Sequence, residues 1–86
     1  MNINDAALKE MKRMEEVFSE IKVLNKPKSK EFYDFAKNYF DDGHHFYSQE
    51  KFVEAFEAFI IAWAYLDIGL KLGLFQTKFK KYFTVD

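Results

Sequence analysis

Cysteine is missing from all 86 residues, so there is no disulfide framework, no thiolate nucleophile and no cysteine-ligated zinc site. That absence fits a reducing cytoplasm. A long apolar run is missing too: the charge-free stretch Ala58 to Leu66 has nine residues, whereas a membrane-spanning helix needs about 20. The opening residues Met1-Asn2-Ile3-Asn4-Asp5 are polar and run into Lys9-Glu10 and Lys12-Arg13, a pattern unlike a secretory signal. Charge of one sign is also lacking. Thirteen basic side chains face fourteen acidic ones, so no overall field draws the chain to nucleic acid or anionic lipid, and an electrostatic partner would need a local patch. No segment repeats at a fixed period and no low-complexity tract marks a second domain. Residues 1–86 read as one helical domain, expected to need no cofactor.

Aromatic side chains are abundant. A chain this short buries only about 60–65% of the surface its unfolded form exposes, so its core must be efficient. Eleven Phe, five Tyr and one Trp provide for that, since each buried aromatic removes about 150–250 Å² from water.

The pattern is helical throughout. Asn4 or Asp5 can cap a first helix, over about residues 5–25, whose apolar positions Leu8, Met11, Met14, Phe18, Ile21 and Leu24 recur every three or four residues. Pro27, the single proline, disfavours a helical Lys26, and Ser29 is a good N-cap for the next helix. This second helix, over about 30–47, carries Phe32, Phe35, Ala36, Tyr39, Phe40, Phe46 and Tyr47 as one stripe. Gly43 lies inside that stripe. Glycine costs a helix interior roughly 0.5–1 kcal/mol relative to alanine, and because the stripe resumes beyond it, close packing of another helix is the better explanation than a helix end. After a turn at Ser48-Gln49-Glu50, a third helix over about 50–72 presents Phe52, Ala55, Phe56, Phe59, Ala62, Trp63, Leu66 and Leu70 and stops at Gly73. Its middle is apolar all round, so it needs cover on several sides, from the other helices, from the tail or from a second copy of the chain. In the tail, 74–85, Phe75, Phe79, Tyr82 and Phe83 recur at i, i+4, i+7 and i+8, which allows a short amphipathic fourth helix. The expected architecture is an all-α, up-down-up three-helix bundle with a short C-terminal helix or tail.

Ala36, the Tyr39-Phe40 pair, Phe46, Ala55, Ala62-Trp63-Ala64, Leu66-Asp67 and Leu72-Gly73-Leu74 resemble an archaeal family of small three-helix proteins known as domain of unknown function 357. The likeness spans residues 36–74. It implies a compact, cytoplasmic three-helix protein and transfers no catalytic residue. The same stretch is similar to a single tetratricopeptide-type hairpin at Tyr39, Gly43, Phe46, Ala55, Phe59 and Ala62, although Asp42 and Asp67 stand where that pattern has leucine and proline. One unit cannot build the stacked array such repeats need, so the likeness implies shared hairpin packing and hints at an interaction module.

Candidate chemistry is sparse. Asp41 and His45, at i and i+4, could supply two metal ligands from one helix face, with His44 or Glu50 nearby, but a third ligand is not evident and catalytic sites need three. Asp41, His44 and Ser48 have the residue types of a nucleophile triad without any sign of an oxyanion hole, and Ser48 is better explained as an N-cap. Small helical ribonuclease and nucleotidyl-transfer-linked folds show an arginine followed by a histidine several residues on; the only arginine, Arg13, has none. The expectation is a non-enzyme. Asp67 is a lone charge in the apolar third helix. Lys71 at i+4 is its obvious partner, and the alternative is a polar residue that fixes a dimer register or lines a pocket.

Topology makes a lysine-rich pole the remaining candidate. An up-down-up bundle brings the first turn and the end of helix three together, gathering Lys26, Lys28, Lys30, Lys71, Lys78, Lys80 and Lys81, while Asp5, Asp41, Asp42 and Glu50 gather opposite. Helix dipoles account for most of this. They do not account for Lys28 and Lys30 at the start of helix two, so an anion or nucleic-acid patch there is an alternative. Phe75, Phe79, Tyr82 and Phe83 either pack on helix three or form the interface of a homodimer. The leading expectation is a protein-interaction or structural module, self-association included.

Overall fold

The computed structural model describes residues 2–85. Three helices, α1 (Ile3–Glu20), α2 (Ser29–Ser48) and α3 (Phe52–Lys71), run up, down and up, and a tail closes the bundle. That tail is a two-residue strand followed by one 3-10 turn at Lys80–Tyr82 rather than a fourth α-helix.

The N-cap of α1 is Asn2, ahead of the expected Asn4 or Asp5; its side-chain oxygen accepts from the Asp5 amide at 2.9 Å. At the other end α1 stops at Glu20, a turn short of the expected boundary. Ile21 adopts φ −58°, ψ 136°, and Lys22–Val23 (β1) pairs antiparallel with Phe75–Gln76 (β2). The Leu24 amide then donates to the Leu74 carbonyl at 2.9 Å. Ile21 still packs on the core and donates back to the Val17 carbonyl, while Leu24 is half-buried and its amide bonds across the chain instead of along a helix.

Both inter-helix turns also differ from expectation in who caps what. Lys28, in the left-handed region at φ 75°, is the N-cap of α2. Ser29 is the first helical residue, is buried, and lies at a long 3.5 Å from the Leu74 carbonyl. The α2–α3 turn places Glu50 at φ 59° and uses Lys51 as the N-cap. Ser48 closes α2 instead, donating its hydroxyl to the His45 carbonyl at 2.7 Å.

Helix α3 is the axis of the bundle, lying against both α1 and α2, which meet each other only along a narrow seam. Ala55, Phe59 and Leu66 of α3 pack with Ala7, Met14 and Val17 of α1, Ala36 of α2, and Leu74, Phe75 and Phe83 of the tail, and Ala62 is fully buried as well. Helix α2 runs unbroken through Gly43, where a Cβ would fall 2.5 Å from Cε1 of Phe59. The glycine is the hollow into which Phe59 sinks. Helix α3 ends in a Schellman motif: the Leu74 amide donates to the Gly69 carbonyl at 2.8 Å, and the Gly73 amide to the Leu70 carbonyl at 3.1 Å, with Gly73 at φ 73°. Because a side chain at that φ is strained, Gly73→Ala should lower the unfolding free energy by about 1 kcal/mol in urea titration.

Candidate functional site

The polar cluster around Asp41 is taken up by ordinary contacts. Asp41 pairs with Lys37 one turn back at 2.7 Å. His44 places Nδ1 3.1 Å from the Phe40 carbonyl and Nε2 3.0 Å from Glu15 of α1. Both ring nitrogens face acceptors, so the doubly protonated ring can donate to both at once and the neutral ring to one. His45 is exposed beside Phe46, and Ser48 is occupied with its own helix. Among the described residues, no three His, Cys, Asp or Glu side chains converge as a metal site would require. The metal and triad candidates Asp41, His44, His45 and Ser48 therefore do not assemble, because the helix spreads them and their neighbours occupy them.

Asp67 is buried, with only 6% of its surface exposed. Its main partner is Thr84 in the tail: Oδ1 accepts from the Thr84 amide at 2.9 Å and hydroxyl at 3.0 Å, and Oδ2 lies 2.8 Å from the same hydroxyl. Lys71 stands further off at 3.4 Å. Burial pushes the carboxyl up, but the Thr84 amide and hydroxyl together with Lys71 outweigh it and hold the group below its ordinary value of 3.8. Asp67 thus anchors the tail, a role its sequence neighbourhood did not disclose.

Other residues fasten the tail as well. The indole Nε1 of Trp63 donates to the Tyr82 carbonyl at 2.6 Å, and the Trp63 ring lies parallel to Phe83 with centroids 6.1 Å apart. From α1, Glu20 accepts from the Thr77 hydroxyl and the Lys78 amide, both at 2.6 Å, and Glu16 accepts from the Tyr82 hydroxyl at 2.9 Å. The tail lies in the groove between α1 and α3. Phe75 and Phe83 are buried there, while Phe79 and Tyr82 are half-buried and stacked on each other. The tail aromatics therefore cover this chain's own core, and Phe75 and Phe83 cannot double as an intermolecular face while they are docked.

The lysines are less of a common patch than topology alone implied. Lys28 pairs with Glu31 at 3.1 Å and Lys30 with Asp34 at 2.6 Å, so α2 supplies the counter-charges that its dipole does not. Lys78 and Lys81 lie over the rings of Phe79 and Tyr82. Lys26 comes near Gly73, and Lys80 lines a hollow with Leu70 and Phe75.

Sequence periodicity did not show which side of α3 stays bare: it is the outward face. Val53, Ile60, Ile61, Ile68 and Leu72 are exposed there, Ile68 at 48% and Leu72 at 59%, with half-buried Ala64 among them. They fall at i, i+7, i+8, i+11, i+15 and i+19, a single stripe along one side of the helix. Beside the stripe, Tyr65 stacks with Phe35 and Tyr39 of α2 at centroid separations of 5.3 and 6.0 Å. Where the stripe meets α2, a cavity of about 240 Å³ opens, floored by Tyr39, Phe46, Ala58 and Ile61 and rimmed by Asp42, Glu54 and Glu57.

The fold and its surface define a small three-helix bundle sealed by its own tail and carrying one uncovered apolar helix face. The chain belongs to the archaeal family described as protein of unknown function DUF357, whose family model matches residues 2–75. It is similar to a solved structure, protein AF1782 from Archaeoglobus fulgidus, also assigned to that family, at 30% identity and a TM-score of 0.75, with 88% of this chain and 93% of that one covered. No curated protein matches. Among the described residues, no helix is long and apolar enough to cross a membrane.

Proposed function

We propose that this chain is a non-catalytic protein-interaction module of the cytoplasm and that its docking face is the outward side of α3. The observation that carries the reading is the row Val53, Ile60, Ile61, Ile68 and Leu72, left in water on the helix that is otherwise the best covered of the three. Apolar side chains scattered singly on a surface need no explanation, but a contiguous row along one helix is how helix-recognition surfaces are built. Chemistry has little to work with elsewhere. Asp41, His44, Glu20 and Asp67 are engaged by a helix neighbour, by α1 or by the tail, and Asp42, Glu54 and Glu57 on the cavity rim do not converge as a metal site would require. An anion or nucleic-acid role at the lysines draws less support, since Lys28 and Lys30 already have acidic partners.

The test is site-specific photo-crosslinking in living cells, with the photoreactive residue at position 61 or 68, or at the exposed control Ser19 on α1. Protein adducts are expected from 61 and 68 and not from 19. Equal labelling at all three positions would remove the reading.

A further inference from the structure

We infer that the occupant of the α3 face is a second copy of this chain, with the two α3 helices antiparallel and related by a two-fold axis close to Ala64. The inference rests on reading that face as a docking surface and adds to it the partner and the geometry. Its ground is the order of residues along the seam. Glu57, Ile61, Ala64, Ile68 and Lys71 lie on one side of the helix at intervals of four, three, four and three residues, the spacing at which helices interlock side by side. That order is nearly symmetric about Ala64 in position and opposite in charge at its ends.

Antiparallel pairing about Ala64 therefore matches the seam to itself. Ile61 meets the region of Ile68 of the partner subunit, and Glu57, seven residues before the axis, faces Lys71 of the partner subunit, seven residues after it. Ala64 meets its own counterpart, and a small side chain at the crossing lets the helices come close. Leu72, the most exposed of the large apolar residues, is then carried to the Tyr39, Phe46 and Ile61 cavity of the other copy, beside Glu54. A parallel arrangement would set Glu54 and Glu57 against the same carboxylates, together with Asp42 on the cavity rim, and would leave Lys71 against lysine. Like charges so placed oppose association. Two-fold symmetry also closes the assembly at two chains, with no free patch left to propagate it. The tail borders the seam without covering it: Tyr82 lies beside Ile60, and Thr84 bonds the Asp67 that Lys71 also reaches, while the hollow over Ile61, Ala64 and Ile68 has no tail residue in its lining.

The absence of cysteine makes the geometry directly measurable. Single-cysteine variants Ala64→Cys, Glu57→Cys, Lys71→Cys and the control Ser19→Cys change exposed or half-exposed positions, and each can be oxidised mildly at micromolar concentration while light scattering follows the wild-type mass. The expected result has four parts. The wild type has twice the 10.3 kDa mass of one chain, Ala64→Cys bridges to itself, and a mixture of Glu57→Cys with Lys71→Cys bridges faster than either alone. Glu57→Lys raises the midpoint concentration of dimerisation about fivefold, the scale of two exposed ion pairs turned repulsive.

A wild type that stays at one-chain mass up to millimolar concentration, with Ala64→Cys bridging no faster than Ser19→Cys, overturns the inference. So does a dimer in which Glu57→Cys bridges best to itself, since that pairing is parallel. The docking reading fails separately. If it stands and the dimer does not, positions 61 and 68 still cross-link in cells, but to proteins of a different mass; if the docking reading itself fails, those positions label no more than position 19.

Discussion

Phe59→Ala is expected to reduce the free energy of unfolding by about 3–5 kcal/mol, a large share of the roughly 5–15 kcal/mol that a typical domain has. Phe59 is fully buried at the centre of α3, and the rings of Phe40 and His44 stand edge-on to it at 6.2 and 5.4 Å. Its truncation leaves a void facing all three helices. The more specific expectation concerns Gly43. In the wild type, Gly43→Ala drives a Cβ into the Phe59 ring, and overpacking of this kind costs about 1–3 kcal/mol, more than the roughly 0.5–1 kcal/mol that alanine gains over glycine in a helix. Once Phe59 is alanine the collision is gone, and the same substitution should become stabilising by up to about 1 kcal/mol. A double-mutant cycle in urea, followed by helical circular dichroism, reads that inversion of sign. Should Gly43→Ala stabilise the wild type as well, the close approach of α2 to α3 is not what holds glycine there.

The same pair shows why much of the fold was legible. Helix α2 was readable through Gly43 because its stripe kept phase from Phe40 to Phe46, and periodic burial is a property of the local sequence. The features that sequence periodicity did not reveal were set by partners far along the chain. Ile21 and Leu24 continue the period of α1, yet the backbone beyond Ile21 bonds with residues about fifty positions later, and an apolar period does not report which carbonyl an amide will find. The tail misled for a related reason. Phe75, Phe79, Tyr82 and Phe83 have helical spacing, but Glu20 and Asp67 take up the Lys78 and Thr84 amides, so the segment is fastened residue by residue and needs no helix of its own.

The candidate site followed the same division. That α3 needed cover on several sides was plain from its all-round apolar middle; which side stayed bare depended on the path of the tail. With the tail in the α1–α3 groove, the strip from Val53 to Leu72 is what remains. Lys71 was correctly placed beside Asp67, although it is the weaker partner, because an i, i+4 neighbour is visible in sequence and Thr84, seventeen residues on, is not. His44 is a parallel case, held by Glu15 at a separation of twenty-nine residues.

The second large effect belongs to Asp67. Asp67→Ala deletes a buried carboxylate that accepts from the Thr84 amide and hydroxyl, and bonds to a charged group are worth about 1.5–3 kcal/mol, so a loss of about 2–4 kcal/mol is expected. Trp63, the single tryptophan, reports the event directly: it is bonded to the Tyr82 carbonyl and stacked on Phe83, and release of the tail exposes it and shifts its emission to the red. Acid should produce the same change without mutation. Burial raises the Asp67 carboxyl, Thr84 and Lys71 lower it further, and the net value in the fold lies below 3.8. The stability this provides is present above about pH 4 and is lost as pH falls through the lowered folded value. The Trp63 emission of the wild type should therefore move to the red in acid, and Asp67→Asn should lack that step, its tail already loosened at neutral pH. At the alkaline end the tail depends on Tyr82, whose hydroxyl is raised above 10.0 by its bond to Glu16, by burial and by the Glu16 charge, against Arg13. A raised value works in the opposite sense: the Tyr82–Glu16 bond contributes fully below about pH 10 and is lost only as pH climbs past the folded value. Glu16→Gln should bring the tyrosinate transition of Tyr82 down toward about pH 10 and leave the acid step at Asp67 unchanged, which assigns the two ends of the profile to two different fastenings of one tail.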